Sequence, residues 1–280
     1  EFRRVLFRSV LRVLMLGDSI GMTGRQLFAR HAAFFIKEYA LDAIIINGEN
    51  SADNGKGITP EIADFFFQYG ASVITTGNHI WDQASVVPYL SSSERLLRPA
   101  NLPDTVPGKG ITFIQVKQTT IAAINLMGRV FMDPVLECPF KKVEELIAQA
   151  TQVTSLIFID FHAQATAEKI GFGQFVDGKV TAVVGTHTHT QTADARVLPG
   201  GTAYMTDLGM SGSLYSVLGF NPTDCIQALT TGIRNLKKVV SVPPYIVTGA
   251  LITADITTGK ALSIEPFRYT DNQPLEKDLV

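Results

Sequence analysis

Apolar residues along this chain gather in short continuous runs, each followed by a glycine and a polar cluster. Val10–Leu16 is the first run and ends in Gly17-Asp18-Ser19. Runs without polar alternation read as strands buried on both faces, as in sheets covered by helices. Arg25–Tyr39 instead sets Leu27, Phe28, Ala32, Phe35 and Ile36 at helical spacing. Ala43–Ile46 is a second strand, ending in Asn47-Gly48-Glu49-Asn50. Thr59 is an N-cap and Pro60 a first helical residue. Their helix runs to about Tyr69, where Gly70 closes it. Ser72–Thr76 is a third strand, ending in Gly77-Asn78-His79.

The second half changes rhythm. Gly110–Val116 and Thr120–Leu126 read as a hairpin, and Lys142–Ala150 as a short helix. Leu156–Asp160 is a strand that delivers His162. Thr166–Gln174 reads as a helix, and Val180–Gly185 as a strand that delivers His187 and His189. Thr202–Asp207 is another strand, followed by a glycine-rich loop, Gly209–Gly219. Asn221-Pro222 precedes a helix to about Ile233, and Tyr245–Ile256 with Ala261–Tyr269 forms a second hairpin. No internal repeat or low-complexity linker interrupts the series. Residues 10–280 therefore read as a single α/β domain of mixed sheets flanked by helices. Residues 1–9 carry three arginines, Arg3, Arg4 and Arg8, without the apolar core of a secretory signal. They read as an assembly remnant outside the fold, or else as a short basic arm.

At 280 residues and 46% hydrophobic the chain can bury a large core, which excludes a disordered or low-complexity protein. Lys plus Arg is 24 and Asp plus Glu is 26, so no basic excess points to a large nucleic acid. A nucleotide-sized ligand stays open. No apolar run approaches the roughly 18–20 residues that span a bilayer. Cys138 and Cys225 are too few for a disulfide framework and fit a reducing cytoplasm.

The histidines bring in chemistry. Of five, His31 falls inside a predicted helix and reads as packing. His79, His162, His187 and His189 all fall at strand ends, near Asp18, Glu49 and Asn78. Imidazole, carboxylate and amide oxygen together suit iron, manganese or zinc, and the lack of nearby thiols argues against structural zinc. In Gly185-Thr186-His187-Thr188-His189 the two imidazoles stand two apart, which on an extended segment turns both to one side. They could then bind two adjacent metals, a pair that clamps the oxygens of a phosphoryl displacement. Glu49 is the candidate bridging carboxylate.

Taken in order, Gly17-Asp18, Asn47-Gly48-Glu49-Asn50, Gly77-Asn78-His79, His162 and Gly185-Thr-His187-Thr-His189 resemble a calcineurin-like metallophosphoesterase. Thr76–Asp82, Leu97–Asn101, Asn125–Pro134, Asp160–Ala163 and Thr206–Gly212 narrow the resemblance to the YmdB-type 2′,3′-cyclic-nucleotide 2′-phosphodiesterases. The resemblance covers nearly all of Val10 to Ile233. It implies a four-layer α/β/β/α sandwich. It implies a first metal on Asp18, Glu49, Asn50 and His189, and a second on Glu49, Asn78, His162 and His187. It implies His79 as proton donor to the leaving oxygen. The expected cofactors are two divalent or mixed-valence ions, iron first and manganese second. Ile20 stands where the wider superfamily has a histidine, and Glu49 where it has an aspartate. Both favour the YmdB branch. The loop 212–216 departs from that branch, where a Gly-Pro start is usual.

The expected reaction is in-line attack on a cyclic nucleotide by a metal-bridging hydroxide, with Arg129 either a phosphate contact or paired with Asp133 or another acid in a loop. A homo-oligomer stays open. Two other readings compete. Gly17-Asp18-Ser19-Ile20 also resembles the nucleophile block of a GDSL-type esterase, with Ser19 attacking an acyl carbon and Asp160-x-His162 as the base pair. That reading leaves Glu49, His79, His187 and His189 without a task. The other is a non-catalytic regulatory protein that binds metal and a nucleotide.

Overall fold

A computed structural model describes residues 10–134, 136–233 and 238–275. The remnant expected at 1–9 lies outside the described residues. The chain runs β1 (Val10–Ser19), α1 (Gly21–Glu38), β2 (Ala43–Asn47), α2 (Pro60–Gln68), β3 (Val73–Thr75) and α3 (Val86–Ser92). Then come β4 (Ile111–Val116), β5 (Thr119–Met127), α4 (Pro139–Thr151), β6 (Ile157–His162), α5 (Thr166–Val176) and β7 (Ala182–Thr186). The rest is β8 (Arg196–Val197), β9 (Ala203–Met205), β10 (Met210–Ser213), α6 (Pro222–Thr231), β11 (Tyr245–Asp255) and β12 (Ala261–Asp271).

Two six-stranded mixed sheets result, ordered β12-β11-β10-β1-β2-β3 and β4-β5-β6-β7-β9-β8. The continuous apolar character of β1 is explained by what covers it. Its alternate residues Leu11, Val13 and Met15 face a core shared with Ala123, Phe158, Val184 and Met205 of the other sheet. Leu14 and Leu16 point the other way, to Leu27, Phe28 and Phe35 of α1 and Phe66 of α2. A third core packs Ile124, Ile159 and Val183 against Val143 and Leu146 of α4 and Phe172 of α5. Three apolar layers therefore separate four layers of structure, helix, sheet, sheet and helix, as expected. Each fully buried Leu or Phe contributes about 1.5–3 kcal/mol.

The carboxyl ends of β1, β2 and β3 meet those of β5, β6 and β7, and polar side chains clasp the two sheets there. Asn47 Nδ2 donates to Asp160 Oδ2 at 3.0 Å, Thr75 Oγ1 donates to the same oxygen at 2.5 Å, and the Thr76 N–H donates to Asn125 Oδ1 at 2.9 Å. Buried polar groups at this depth need partners, and these bonds supply them across the sheets.

Several elements differ from the sequence reading. β1 runs on through Asp18 to Ser19, because β10 pairs with those two residues. The expected glycine-rich loop 209–219 thus contains a strand. Helix α1 starts at Gly21, four residues early; no side chain caps it, and the small residues Gly21, Thr23 and Gly24 let its first turn bury. α3 and the two-residue β8 are too short to leave a periodic signal. Helix α6 follows Asn221-Pro222 as expected, and Asn221 caps it, its Oδ1 accepting from the Thr223 and Asp224 N–H groups. Cys138 and Cys225 are both free thiols. Among the described residues no helix is long and apolar enough to cross a membrane.

Candidate metal centre

The site forms where the two sets of strand ends face each other. Asp18 comes from β1, Glu49 and Asn50 from the turn after β2, and Asn78 and His79 from the turn after β3. His162 ends β6, and His187 and His189 follow β7. Asp18, Glu49, Asn50 and His162 are all buried.

Around His162 the polar atoms crowd one point. Its Nε2 is 3.0 Å from Asn78 Oδ1, 3.0 Å from His187 Nδ1 and 3.0 Å from Glu49 Oε1. Glu49, His162 and His187 together can hold an ion. Beside them His189 Nε2 lies 3.2 Å from Asn50 Oδ1 and 3.6 Å from Asp18 Oδ1. The remaining carboxylate oxygens are tied to backbone: Asp18 Oδ2 accepts from the His187 N–H at 3.1 Å, and Glu49 Oε2 from the His79 N–H at 3.1 Å.

Two oxygens do not fit a protein-only site. Asp18 Oδ1 and Glu49 Oε1 are buried and accept no hydrogen bond, although each faces a histidine nitrogen. A buried carboxylate oxygen left unsatisfied is costly. Its cost vanishes if a cation binds there, so the donor set fits metal. Gly77 fits the same reading: a Cβ there would lie 2.2 Å from His162 Cδ2 and 2.4 Å from Glu49 Oε2, so no side chain fits this wall.

The electrostatics also call for positive charge. Burial would raise both Asp18 and Glu49, yet His189 holds Asp18 below the usual carboxylate range and His162 does the same for Glu49. Burial would lower His162, but Glu49, Asp18 and Asp160 outweigh it and push it up to about 9. Its neighbour His187 goes to about 4, by burial first and then by repulsion from His162. A proton on His162 thus stands in for the cation that the carboxylates favour.

The chain's relationship matches this geometry. The profile of the YmdB-like protein family matches residues 14–267. The chain belongs to the YmdB-like family. It is 43% identical, over 94% of its length and 98% of the relative's, to the 2′,3′-cyclic-nucleotide 2′-phosphodiesterase of Bacillus subtilis. A novel phosphatase from Mycoplasma pneumoniae superposes with a TM-score of 0.88 at 33% identity, covering 95% of this chain and 96% of that one. A hypothetical protein from Thermus thermophilus superposes with a TM-score of 0.86 at 32% identity, covering 93% and 100%.

In this YmdB-like chain all seven expected ligand residues and His79 come together, but by a different route at one place. The segment after β7 is not extended. His187 and His189 have φ of 98° and 60°, in the left-handed region that non-glycine residues avoid. This turn, not strand alternation, sends His187 toward His162 and His189 toward Asn50. Arg129 is not brought in. Its N–H donates to Glu168 Oε1 at 2.9 Å, its side chain is exposed, and it does not line the cavity at the site. The esterase reading fails on geometry. Ser19 Oγ is buried and has no hydrogen-bond partner, so no base activates it.

Sequence reasoning gave no role to the residues that brace the turn. Lys169 and Asp207 form a buried ion pair at 2.6 Å. Lys169 Nζ donates to the Thr186 carbonyl at 2.8 Å, and Asp207 Oδ2 accepts from the Thr188 N–H at 3.0 Å. Strained backbone persists where its surroundings over-determine it, and this pair does so from both sides. A lysine within a predicted helix carries no signal of such a task. Asp207 lay in a matching stretch, and only its contacts reveal what it does.

Proposed function

We propose that this protein hydrolyses a 2′,3′-cyclic nucleotide at its 2′ bond, leaving the 3′-monophosphate, in the cytoplasm. The observation that carries this reading is the pair of buried oxygens Asp18 Oδ1 and Glu49 Oε1, which accept no hydrogen bond and have only a histidine nitrogen each, at 3.6 and 3.0 Å, to balance their charge. In this reading Asp18, Glu49, Asn50 and His189 hold one metal ion, and Glu49, Asn78, His162 and His187 a second. Iron is the first candidate for both, with manganese next. Such ions supply Lewis-acid charge at phosphoryl oxygens and acidify a water.

The chain's own groups do the rest. His79 lines the cavity, and its Nδ1 lies 2.8 Å from Asp82 Oδ2. That carboxylate holds the ring through Nδ1, which leaves Nε2 as the nitrogen that would serve the departing ribose oxygen as proton donor. General-acid help of this kind is typically worth about 10²–10⁴-fold. Asp18 and Glu49, held ionised, keep the negative charge that retains cations.

The deciding experiment combines elemental analysis of the purified protein with hydrolysis assays on 2′,3′-cyclic AMP and a simple acyl ester. Bound metal, cyclic-nucleotide cleavage and no ester cleavage support the reading. Full activity in metal-free protein, or ester cleavage alone, rejects it.

A further inference from the structure

We propose that Phe220 is the platform on which the nucleobase of the substrate stacks. This rests on the cyclic-nucleotide reading above. The cavity over the site measures 270 Å³, close to the roughly 300 Å³ at the small end of ligand sites. Its lining includes Glu49, Asn50, His187 and His189 of the metal centre, whose ions would take the phosphate, together with the cation Lys56. Leu218 and Phe220 also line it and offer apolar surface. A base is the part of a nucleotide with a flat apolar face, and Phe220 is the aromatic side chain of this lining that could take it.

The aromatic wall is fixed in place relative to the metal centre. The Phe220 N–H donates to the Val217 carbonyl at 3.0 Å, and the Val217 N–H returns a bond to Phe220 at 2.9 Å. Val239 bridges Phe220 from the other side. The Leu218 carbonyl is 3.2 Å from His189 Nδ1, and Asn50 Nδ2 donates to the Gly55 carbonyl at 3.0 Å. Gly55 has a φ of 76°, and a Cβ there would come within 2.8 Å of Phe220 Cζ. The absence of a side chain at Gly55 lets the ring close against the loop that carries Asn50. Phe220 is only half-buried, and among the described residues no other ring or cation packs on it. Its exposed surface is open to a ligand. Gln164 lines the same cavity and has both a donor and an acceptor for a base edge.

The test compares wild type with Phe220→Ala, Phe220→Leu and Phe220→Tyr. The substrates are 2′,3′-cyclic AMP and the base-free methyl riboside 2′,3′-cyclic phosphate. Stacking of a base on an aromatic ring predicts that KM for cyclic AMP rises about 5- to 150-fold in the Ala and Leu variants. Their kcat, metal content and KM for the base-free compound stay at wild-type values, and Tyr keeps wild-type KM. Leu preserves the apolar contact with Gly55, so it carries the test if Ala fails to fold. Equal losses on both substrates, or no change on either, overturn the platform. Equal KM for the two substrates in wild type also overturns it, while leaving the phosphodiesterase reading intact. Wild type inactive on both substrates overturns that reading and this one with it.

Discussion

Asp160 and His162 are joined through one hydroxyl: Thr186 Oγ1 lies 2.7 Å from Asp160 Oδ1 and 2.9 Å from His162 Nδ1. A hydroxyl has one proton. Burial pushes Asp160 up to about 6, so above that pH it is ionised and takes the Thr186 proton. The Thr186 oxygen must then accept from Nδ1–H, which leaves Nε2 as the nitrogen aimed at Glu49 and Asn78. Thr186→Val removes this link with little change of shape. Loss of such a supporting partner typically weakens metal affinity about 10- to 100-fold. Titration with a competing chelator measures it, and unchanged affinity would show that the hydroxyl does not set the ring.

Asp18→Asn and Ser19→Ala should rank in opposite ways on the two chemistries considered. Asp18→Asn removes a buried charge from the site and should nearly abolish phosphodiesterase activity and lower metal content. Ser19→Ala should leave most of both. Steady-state rates and elemental analysis decide, and an inactive Ser19→Ala with active Asp18→Asn would reverse the assignment.

His79→Ala should keep its metal and lose about 10²–10⁴-fold in turnover on a cyclic nucleotide. The loss should shrink for a nitrophenyl diester, whose leaving group departs without a proton. Asp82→Asn should show the same pattern at smaller size, because Asp82 acts only through the ring. Equal losses on good and poor leaving groups would remove His79 from the donor role.

Lys169→Met leaves Asp207 buried without its cation. Breaking a buried pair from one side costs about 3–5 kcal/mol. Urea unfolding should show a loss of that size, and the double variant Lys169→Met with Asp207→Asn should recover part of it. A loss no greater than that of a surface lysine would show that the pair is not needed for folding.

Asp271 ties the end of β12 to α1. Its Oδ2 lies 3.0 Å from Arg30 Nη1 and 2.7 Å from His31 Nε2. Burial would raise its pKa, but the Gln273 N–H and these two side chains outweigh it and lower it from the ordinary 3.8. A lowered carboxyl pKa stabilises the fold above that ordinary value, and the contribution is lost as pH falls through the depressed one. Asp271→Asn should therefore melt below wild type at neutral pH, and the gap should close in acid. A gap that stays constant with pH would point to packing instead.

The sequence by itself determined the layered α/β architecture and put the candidate metal-binding residues at the ends of strands. Continuous apolar strands such as β1 are needed only where both faces are covered, and Asp18, Glu49, Asn78 and His162 stand at strand ends because parallel strands gather their carboxyl ends in one place. What it could not carry was any relation between residues far apart in the chain. β10 is a strand because β1 and β11 flank it, not because Met210–Ser213 has a strand pattern. The left-handed turn at His187 and His189 has no glycine to announce it; Lys169 and Asp207, 38 residues apart, hold it. Phe220 meets Gly55 only after two loops fold together, and Arg129, placed among matching motifs, turns outward because Glu168 takes its backbone. Local patterns report what a residue's neighbours in sequence require. Charge pairing, buried hydrogen bonds and close approach depend on distance in space, so the folded structure alone decided them.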